Sequence, residues 1–199
     1  MSSGEDKYGD PETRQRILEA TWSLIPKHGS SLRLIDVANA AGVSRQALYL
    51  HFGDRSGLLV GLVLHMDKTL ELGKHLAHVF GAATGVEGLE RMVELVSTYT
   101  AKIESVAQVL DAEQHQDMAL AAAWRNRMDS RRAVLRKVIE RIEAEGQLAD
   151  GWTVEKASDL FYAVTMPGLW TELVRQVGWT PDQYSEHVTK LLKGSLIKD

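Results

Sequence analysis

Residues 36–55 read DVANAAGVSRQALYLHFGDR, and the order of residue types in this stretch decides how the chain folds. Val37, Ala38 and Ala41 set small and branched apolar groups on one side of a short helix. Gly42 follows, the residue that most readily takes the positive φ of a sharp turn between helices. Val43 can plug the corner, and Ser44 is a good N-cap for a second helix. That helix is expected over about residues 45–52, with Leu48 and Phe52 four apart on its buried side. Arg45, Gln46, Tyr49 and His51 then project elsewhere as a hydrogen-bonding face. Helix, glycine turn and second helix with a polar outer edge make a helix-turn-helix.

The dimensions suit a nucleic-acid groove. Residues 44–52 span roughly 13 Å at about 1.5 Å per residue, close to the roughly 12 Å width of the DNA major groove. Arginine forms a bidentate pair with guanine and glutamine with adenine, and the N-terminal end of a recognition helix reaches base edges. Arg45 and Gln46 are therefore the expected base readers. Ser44, Tyr49 and His51 carry hydroxyl or imidazole groups suited to phosphate oxygens. Arg55, past the Gly53-Asp54 break, is placed to meet the DNA backbone at the start of the next helix.

On these residues the chain resembles the TetR family of transcriptional regulators. The likeness is close over about residues 14–59, including AAGVSRQALYLHF and the Phe-x-x-Arg-x-x-Leu-Leu run that starts at Phe52. The resemblance implies DNA contacts from Ser44, Arg45, Gln46, Ala47, Tyr49, Leu50, His51 and Arg55, the last standing where the family commonly has Lys. Arg33 stands where the family usually has a Thr or Ser opening the first helix of the motif. It belongs with the DNA-contacting set, and the cap falls to Ser31 or Ser30. The implied fold is all-α with about nine helices: an N-terminal three-helix DNA-binding domain, then a C-terminal helical ligand-binding and dimerisation domain. The last two helices resemble the pair with which the family dimerises as a four-helix bundle. The implied function is a ligand-responsive regulator, by family default a repressor. It would bind a palindromic double-stranded DNA operator as a homodimer and be released by a small-molecule effector.

Bulk composition bounds the alternatives. The chain has 199 residues, enough for one large or two small domains. Hydrophobic residues make up 44% and charged residues 25%, the proportions of a soluble globular protein. Without cysteine there is no disulfide framework and no thiolate chemistry, which fits a reducing interior. No apolar run approaches the eighteen or so residues of a membrane span, and no signal-peptide pattern opens the chain, so a cytoplasmic location is expected. A net charge of −4 argues against an indiscriminate nucleic-acid binder. Over residues 10–56, six Lys and Arg stand against five Asp and Glu. Few phosphates are neutralised per subunit, so tight binding calls for two subunits and is salt-sensitive. No enzyme is expected, for want of a nucleophilic cysteine, a phosphate-cradling glycine loop, or paired carboxylates in a catalytic context. No cofactor is expected either.

Taken in order, residues 1–10 are polar and read as a disordered arm, residues 11–56 as the DNA-binding domain and residues 57–199 as the regulatory domain. A helix over about 12–25 covers the motif with Ile17, Leu18, Thr21, Trp22 and Ile25, and Pro26 is expected to end or distort it. Asp54 caps a long helix reaching residue 78 or 80. Inside it, Gly57 and Gly61 signal either close approach of a neighbouring backbone or looseness. GAATG at residues 81–85 is the strongest linker signal in mid-chain. Helices follow over about 86–105, 106–115 and 118–145, then one from Thr153 to about 177, kinked near Ala163 by Pro167. The last helix opens with Pro181 at N1 and presents Tyr184, Val188, Leu191 and Leu192 as its apolar face. No alternating pattern suggests a sheet.

Met92, Tyr99, Met118, Trp124, Met128, Tyr162, Met166 and Trp170 are candidates to line an apolar ligand pocket, although core filling is the commoner role of such residues. Arg131 is the sharper case. It interrupts the apolar stripe of Leu120, Trp124, Met128, Leu135, Val138 and Ile142, and an unpaired buried guanidinium is prohibitive. Either it pairs with a carboxylate such as Asp111 or Glu113, or a small helix rotation leaves it at the rim, or it anchors an acidic ligand. Asp111 and His115, with Glu113 and Asp117 nearby, have metal-ligand spacing but no second histidine. His75 and His78 are weaker still, and no metal is expected.

Overall fold

The computed structural model describes residues 10–198, and those residues are all-α. Helices α1 (Pro11–His28), α2 (Leu34–Ala41), α3 (Arg45–Phe52) and α4 (Arg55–Thr69) come first. They are followed by α5 (Leu72–Phe80), α6 (Gly85–Glu113), α7 (Met118–Ala144), α8 (Val154–Val164), α9 (Pro167–Thr171) and α10 (Pro181–Leu196). Among the described residues the only β pairing is an isolated antiparallel bridge between Leu148 and Ile197. No described helix is long and apolar enough to cross a membrane. The expected arm lies outside the described residues except for Asp10, which caps α1 by accepting from the Glu12 and Thr13 backbone N–H groups at 3.2 and 2.9 Å.

The chain divides into two compact units. One holds the chain up to Thr69 together with Ser105–Trp124, and the other holds Leu70–Glu104 and Arg125–Asp199.

In the first unit α1 packs against α2, α3 and α4. Ile17, Leu18 and Ile25 of α1, Val37 and Ala38 of α2, Leu48 of α3, and Leu58, Leu59 and Leu62 of α4 are withdrawn from water. Burying each such large side chain stabilises the unit by about 1.5–3 kcal/mol. Trp22 is half-buried, with its ring edge-on to His65 at 6.2 Å. Helix α1 does not stop at Pro26. It runs on to His28, where the Gly29 N–H closes on the Ile25 carbonyl. A proline in the last turn removes a single N–H and leaves little helix downstream to disrupt.

The two glycines of α4 resolve as close approach. A Cβ on Gly57 would lie 2.1 Å from the Phe52 carbonyl oxygen, and one on Gly61 would lie 3.0 Å from the Phe52 ring. These contacts bring α4 tightly against the end of α3 and help orient it.

The second unit is built on Leu89, Met92, Val93 and Val96 of α6, and on Leu135, Val138 and Ile142 of α7. Phe161 of α8, Trp170 of α9 and Tyr184, Val188 and Leu192 of α10 complete this core. Leu191, expected on the same face of α10, is 53% exposed instead. The long helix expected after Asp54 breaks at Glu71, which takes a left-handed conformation at φ 50. Lys74 forms an ion pair with that residue's side chain. Residues 81–85 are not a loose linker. Arg141 donates to the Ala83 carbonyl at 2.8 Å, Glu145 accepts from the Gly85 N–H at 2.7 Å, and a Cβ on Gly85 would meet Ile142 at 2.8 Å.

The two helices expected over 86–105 and 106–115 are one, α6, because nothing near Ser105 breaks a helix. The opposite happens at Thr165 and Met166. There the expected kink is a full interruption, with Pro167 at the N1 position of α9 and a π-helical stretch at Glu172–Gln176. Proline fits N1, where its missing N–H would be unpaired anyway. Thr180 and Gln183 close a reciprocal capping box on α10, and Pro181 stands at N1 as expected.

Candidate nucleic-acid interface

Local chemistry builds the helix-turn-helix. Gly42 sits at φ 65, its N–H reaching the Ala38 and Asn39 carbonyls, and the Val43 N–H also bonds Ala38 at 2.9 Å. This is the Schellman closure a left-handed glycine permits. Ser44 is extended, and its Oγ accepts from the Ala47 N–H at 3.1 Å. Gly53 at φ 75 ends α3, and Asp54 accepts from the Gly57 N–H at 2.8 Å to start α4.

The outer edge of α3 is open to solvent. Ser44, Arg45 and Gln46 are exposed, Tyr49 is 42% and Leu50 76% exposed, and Ala47 and His51 are half-buried. Leu48 and Phe52 are buried on the opposite side. The Arg45 guanidinium lies 6.0 Å from the Tyr49 ring, a contact open to solvent on its outer side. An exposed leucine beside a polar edge is a poor surface in water, yet suits apolar contact with a thymine methyl.

Arg33 is exposed too, but it forms a bidentate pair with Asp36, both contacts at 2.8 Å. That pairing holds the Asp36 carboxyl below its ordinary pKa. Neither serine expected as the α2 cap serves. Ser31 Oγ donates back to the His28 carbonyl, and Arg33 is itself the N-cap residue, without a side-chain cap bond.

Arg55 departs furthest from expectation. Its Nε and Nη2 hold the two oxygens of Glu113 at 2.9 and 2.7 Å, while Nη1 donates to the Leu32 carbonyl and Nη2 also to that of Ser30. All its nitrogens are engaged inside its own unit, where it braces the loop before α2. Glu113 was therefore not available to pair with Arg131, and Asp111 accepts from Gln114 at 2.7 Å. Among the described residues no cluster of three or more His, Asp or Glu is arranged to hold a metal.

The candidate ligand residues are distributed unevenly. Met92 and Trp170 lie in the core of the second unit, with Tyr99 and Tyr162 packed against it. The Trp170 indole donates to Ser97 Oγ at 3.4 Å, and the Tyr99 hydroxyl accepts from Arg127 at 3.2 Å. Met128 is half-buried, and Met166 is the residue preceding α9. Trp124 is buried and belongs to the first unit, while Met118 is 90% exposed. A surface groove of ≈ 670 Å³ between α6 and α10, lined by residues such as Glu90, Ser97, Pro181 and Lys193, includes none of them.

Among the described residues Arg131 is paired with no carboxylate. Its Nη2 donates to the Thr165 carbonyl and, at 2.8 Å, to the Thr165 hydroxyl, and its Nε is buried without a partner among the described residues. Burial brings its pKa down to about 10, partly opposed by Tyr184 and Tyr162. Burial likewise pushes Tyr184 up to about 12. Sequence gave no signal for Thr165 as its partner, 34 residues away.

Turn, cap and exposed polar edge define a helix-turn-helix protein of the all-α class. Residues 17–62 match the family model described as bacterial regulatory proteins, tetR family. The match is confined to the amino-terminal module. A stretch of 48 residues is 50% identical to the HTH-type transcriptional regulator AcrR of Shigella flexneri, covering 24% of this chain and 22% of that protein. Another of 86 residues is 35% identical to TtgR of Pseudomonas putida, covering 43% and 40%. These curated relatives are thus matched over less than half their length. The fold is shared more widely. A putative transcriptional regulator from Saccharomonospora viridis, solved in complex with choline, superposes with a TM-score of 0.82 at 21% identity, over 96% of this chain and 100% of that one. NalD of Pseudomonas aeruginosa, described as the secondary repressor of a multidrug efflux pump, does so with a TM-score of 0.67 at 23% identity, over 96% and 100%.

Proposed function

We propose that this chain is a ligand-responsive transcriptional regulator, a repressor, that binds a palindromic DNA operator as a homodimer. The observation that carries the reading is the solvent-exposed polar edge of α3, held outward by buried Leu48 and Phe52. Arg45 and Gln46 read bases at the N-terminal end of the helix. Ser44, Tyr49 and His51 bind phosphates, with Ala47 and Leu50 as close apolar neighbours of the bases. Arg33 reaches the backbone once it releases Asp36. Arg55 positions the motif through Glu113 rather than touching DNA directly.

Two recognition helices related by a two-fold axis must lie about 34–36 Å apart, or a multiple of that, to enter successive major-groove faces. Dimerisation through α8 and α10 supplies the axis. An effector bound among the second unit's side chains favours a separation that no longer fits. A coupling of about 1–3 kcal/mol changes operator affinity five- to over a hundredfold.

Gel shifts on DNA from upstream of the protein's own gene, at low and moderate salt, test the reading. The unaltered protein retards a specific fragment, and Arg45→Ala loses the preference while keeping weak general binding. An Arg45→Ala protein with the parent's site preference would remove α3 as the reader.

A further inference from the structure

A guanidinium held partly out of water favours a counter-charge, because each buried, unpaired N–H of an ion is costly. Half-buried Arg55 has such a partner, with its Nε and Nη2 on the two oxygens of Glu113. Arg131 has no carboxylate partner among the described residues. Nη2 is satisfied by Thr165, a neutral partner, and Nε is buried and unpaired among the described residues. The surroundings do not supply the missing charge. Arg127 adds positive potential, the Arg132 guanidinium lies 4.2 Å from the Tyr162 ring, and that of Arg131 lies 5.9 Å from it. The Tyr184 hydroxyl donates to the Val164 carbonyl at 3.2 Å. Thr165 closes the C-terminal end of α8, where a cation is favoured by the helix dipole. That term is small beside the desolvation of a whole charge, so a purely structural latch accounts poorly for an arginine at this position.

We infer that Arg131, with Thr165, Tyr162 and Tyr184 around it, is an anion site of the second unit, and that the effector is an organic acid. Its carboxylate accepts from the unpaired Nε in a charge-assisted hydrogen bond, while Nη2 stays on Thr165. Phe161 and Val164 beside the site belong to the apolar core or pack on it, so the body of the acid is apolar. This inference rests on the ligand-responsive reading above and names the chemical class of its ligand.

The test titrates benzoate, octanoate and decanoate, each against its neutral amide, into the full-length protein by calorimetry and thermal melting. At least one acid binds and raises the melting temperature, and its amide does not. Arg131→Met weakens that acid by about ten- to a hundredfold, the value of a hydrogen-bonded charge pair. Without ligand, Arg131→Met melts no lower than the parent, because it removes an uncompensated charge. If Arg131→Met fails to fold, the comparison of acid with amide on the unaltered protein decides. Equal binding of acid and amide, no binding of any of the acids, or unchanged acid binding by Arg131→Met overturns the inference. Gel shifts run in parallel separate the two readings. A protein that binds an acid but no DNA supports the anion site and sinks the regulator. One that binds DNA but none of the acids does the reverse.

Discussion

Replacing Gly57 by alanine probes the joint on which the orientation of α3 depends. The added Cβ would sit 2.1 Å from the Phe52 carbonyl oxygen and 3.2 Å from its carbonyl carbon. Relief to an ordinary contact takes a displacement on the order of 1 Å between the end of α3 and the first turn of α4, and overpacking of this kind costs about 1–3 kcal/mol. The same displacement loosens the Asp54 cap on the Gly57 N–H, now 2.8 Å, a loss of about 1 kcal/mol. It also disturbs Phe52, whose ring lies 4.7 Å from the Arg14 guanidinium. Against this, alanine gains about 1 kcal/mol over glycine in a helix interior. The net expectation is a destabilisation of about 1–3 kcal/mol, or a fall in melting temperature of roughly 2–4 °C per kcal/mol for a chain of this size. Urea denaturation followed by circular dichroism measures it, with Gly73→Ala as control, because nothing lies within 4 Å of a Cβ there. A Gly57→Ala protein as stable as the Gly73→Ala control would refute the close-approach argument.

Other consequences can be checked independently. Glu113→Gln removes the counter-charge from Arg55, a pair whose side chains are 28% and 16% exposed. Partial screening reduces the cost to about 1–2 kcal/mol, read as a lower urea midpoint, and an unchanged midpoint would count against the brace. Asp10 is held below its ordinary pKa of 3.8, first by the Thr13 side chain and then by the Thr13 and Glu12 backbone N–H groups. A depressed carboxylate stabilises the fold above its unfolded value, and that contribution disappears as pH falls through the folded one. The α1 cap should therefore persist at pH 3.8 and open only below it, which a carboxyl chemical-shift titration follows. A midpoint for Asp10 at or above 3.8 would contradict this.

The parts of the fold legible in the sequence are those fixed by neighbouring residues. Gly42 and Ser44 determine the turn, Thr180 and Pro181 the start of α10, and Asp54 the start of α4. The misread parts depend on distant packing or on unmarked backbone. No glycine or proline announces the left-handed Glu71, and nothing local distinguishes a continuous α6 from two helices. Pro26 looked like a terminator because its effect depends on how much helix remains beyond it. The exposed edge of α3 followed from periodicity, whereas the engagement of Arg55 with Glu113, 58 residues on, is purely tertiary. Arg131 was recognisable as anomalous from its place on an apolar stripe, but its partner at Thr165 was not.

Selection of binding sites from a random duplex library, carried out with the unaltered protein and with an Arg45→Ala, Gln46→Ala double variant, tests the central claim most directly. A regulator that reads DNA with α3 enriches a two-fold symmetric sequence, and the double variant loses the information at the symmetric positions that those residues contact. Enrichment of no sequence by the unaltered protein, or of the same sequence by both proteins, would contradict the account.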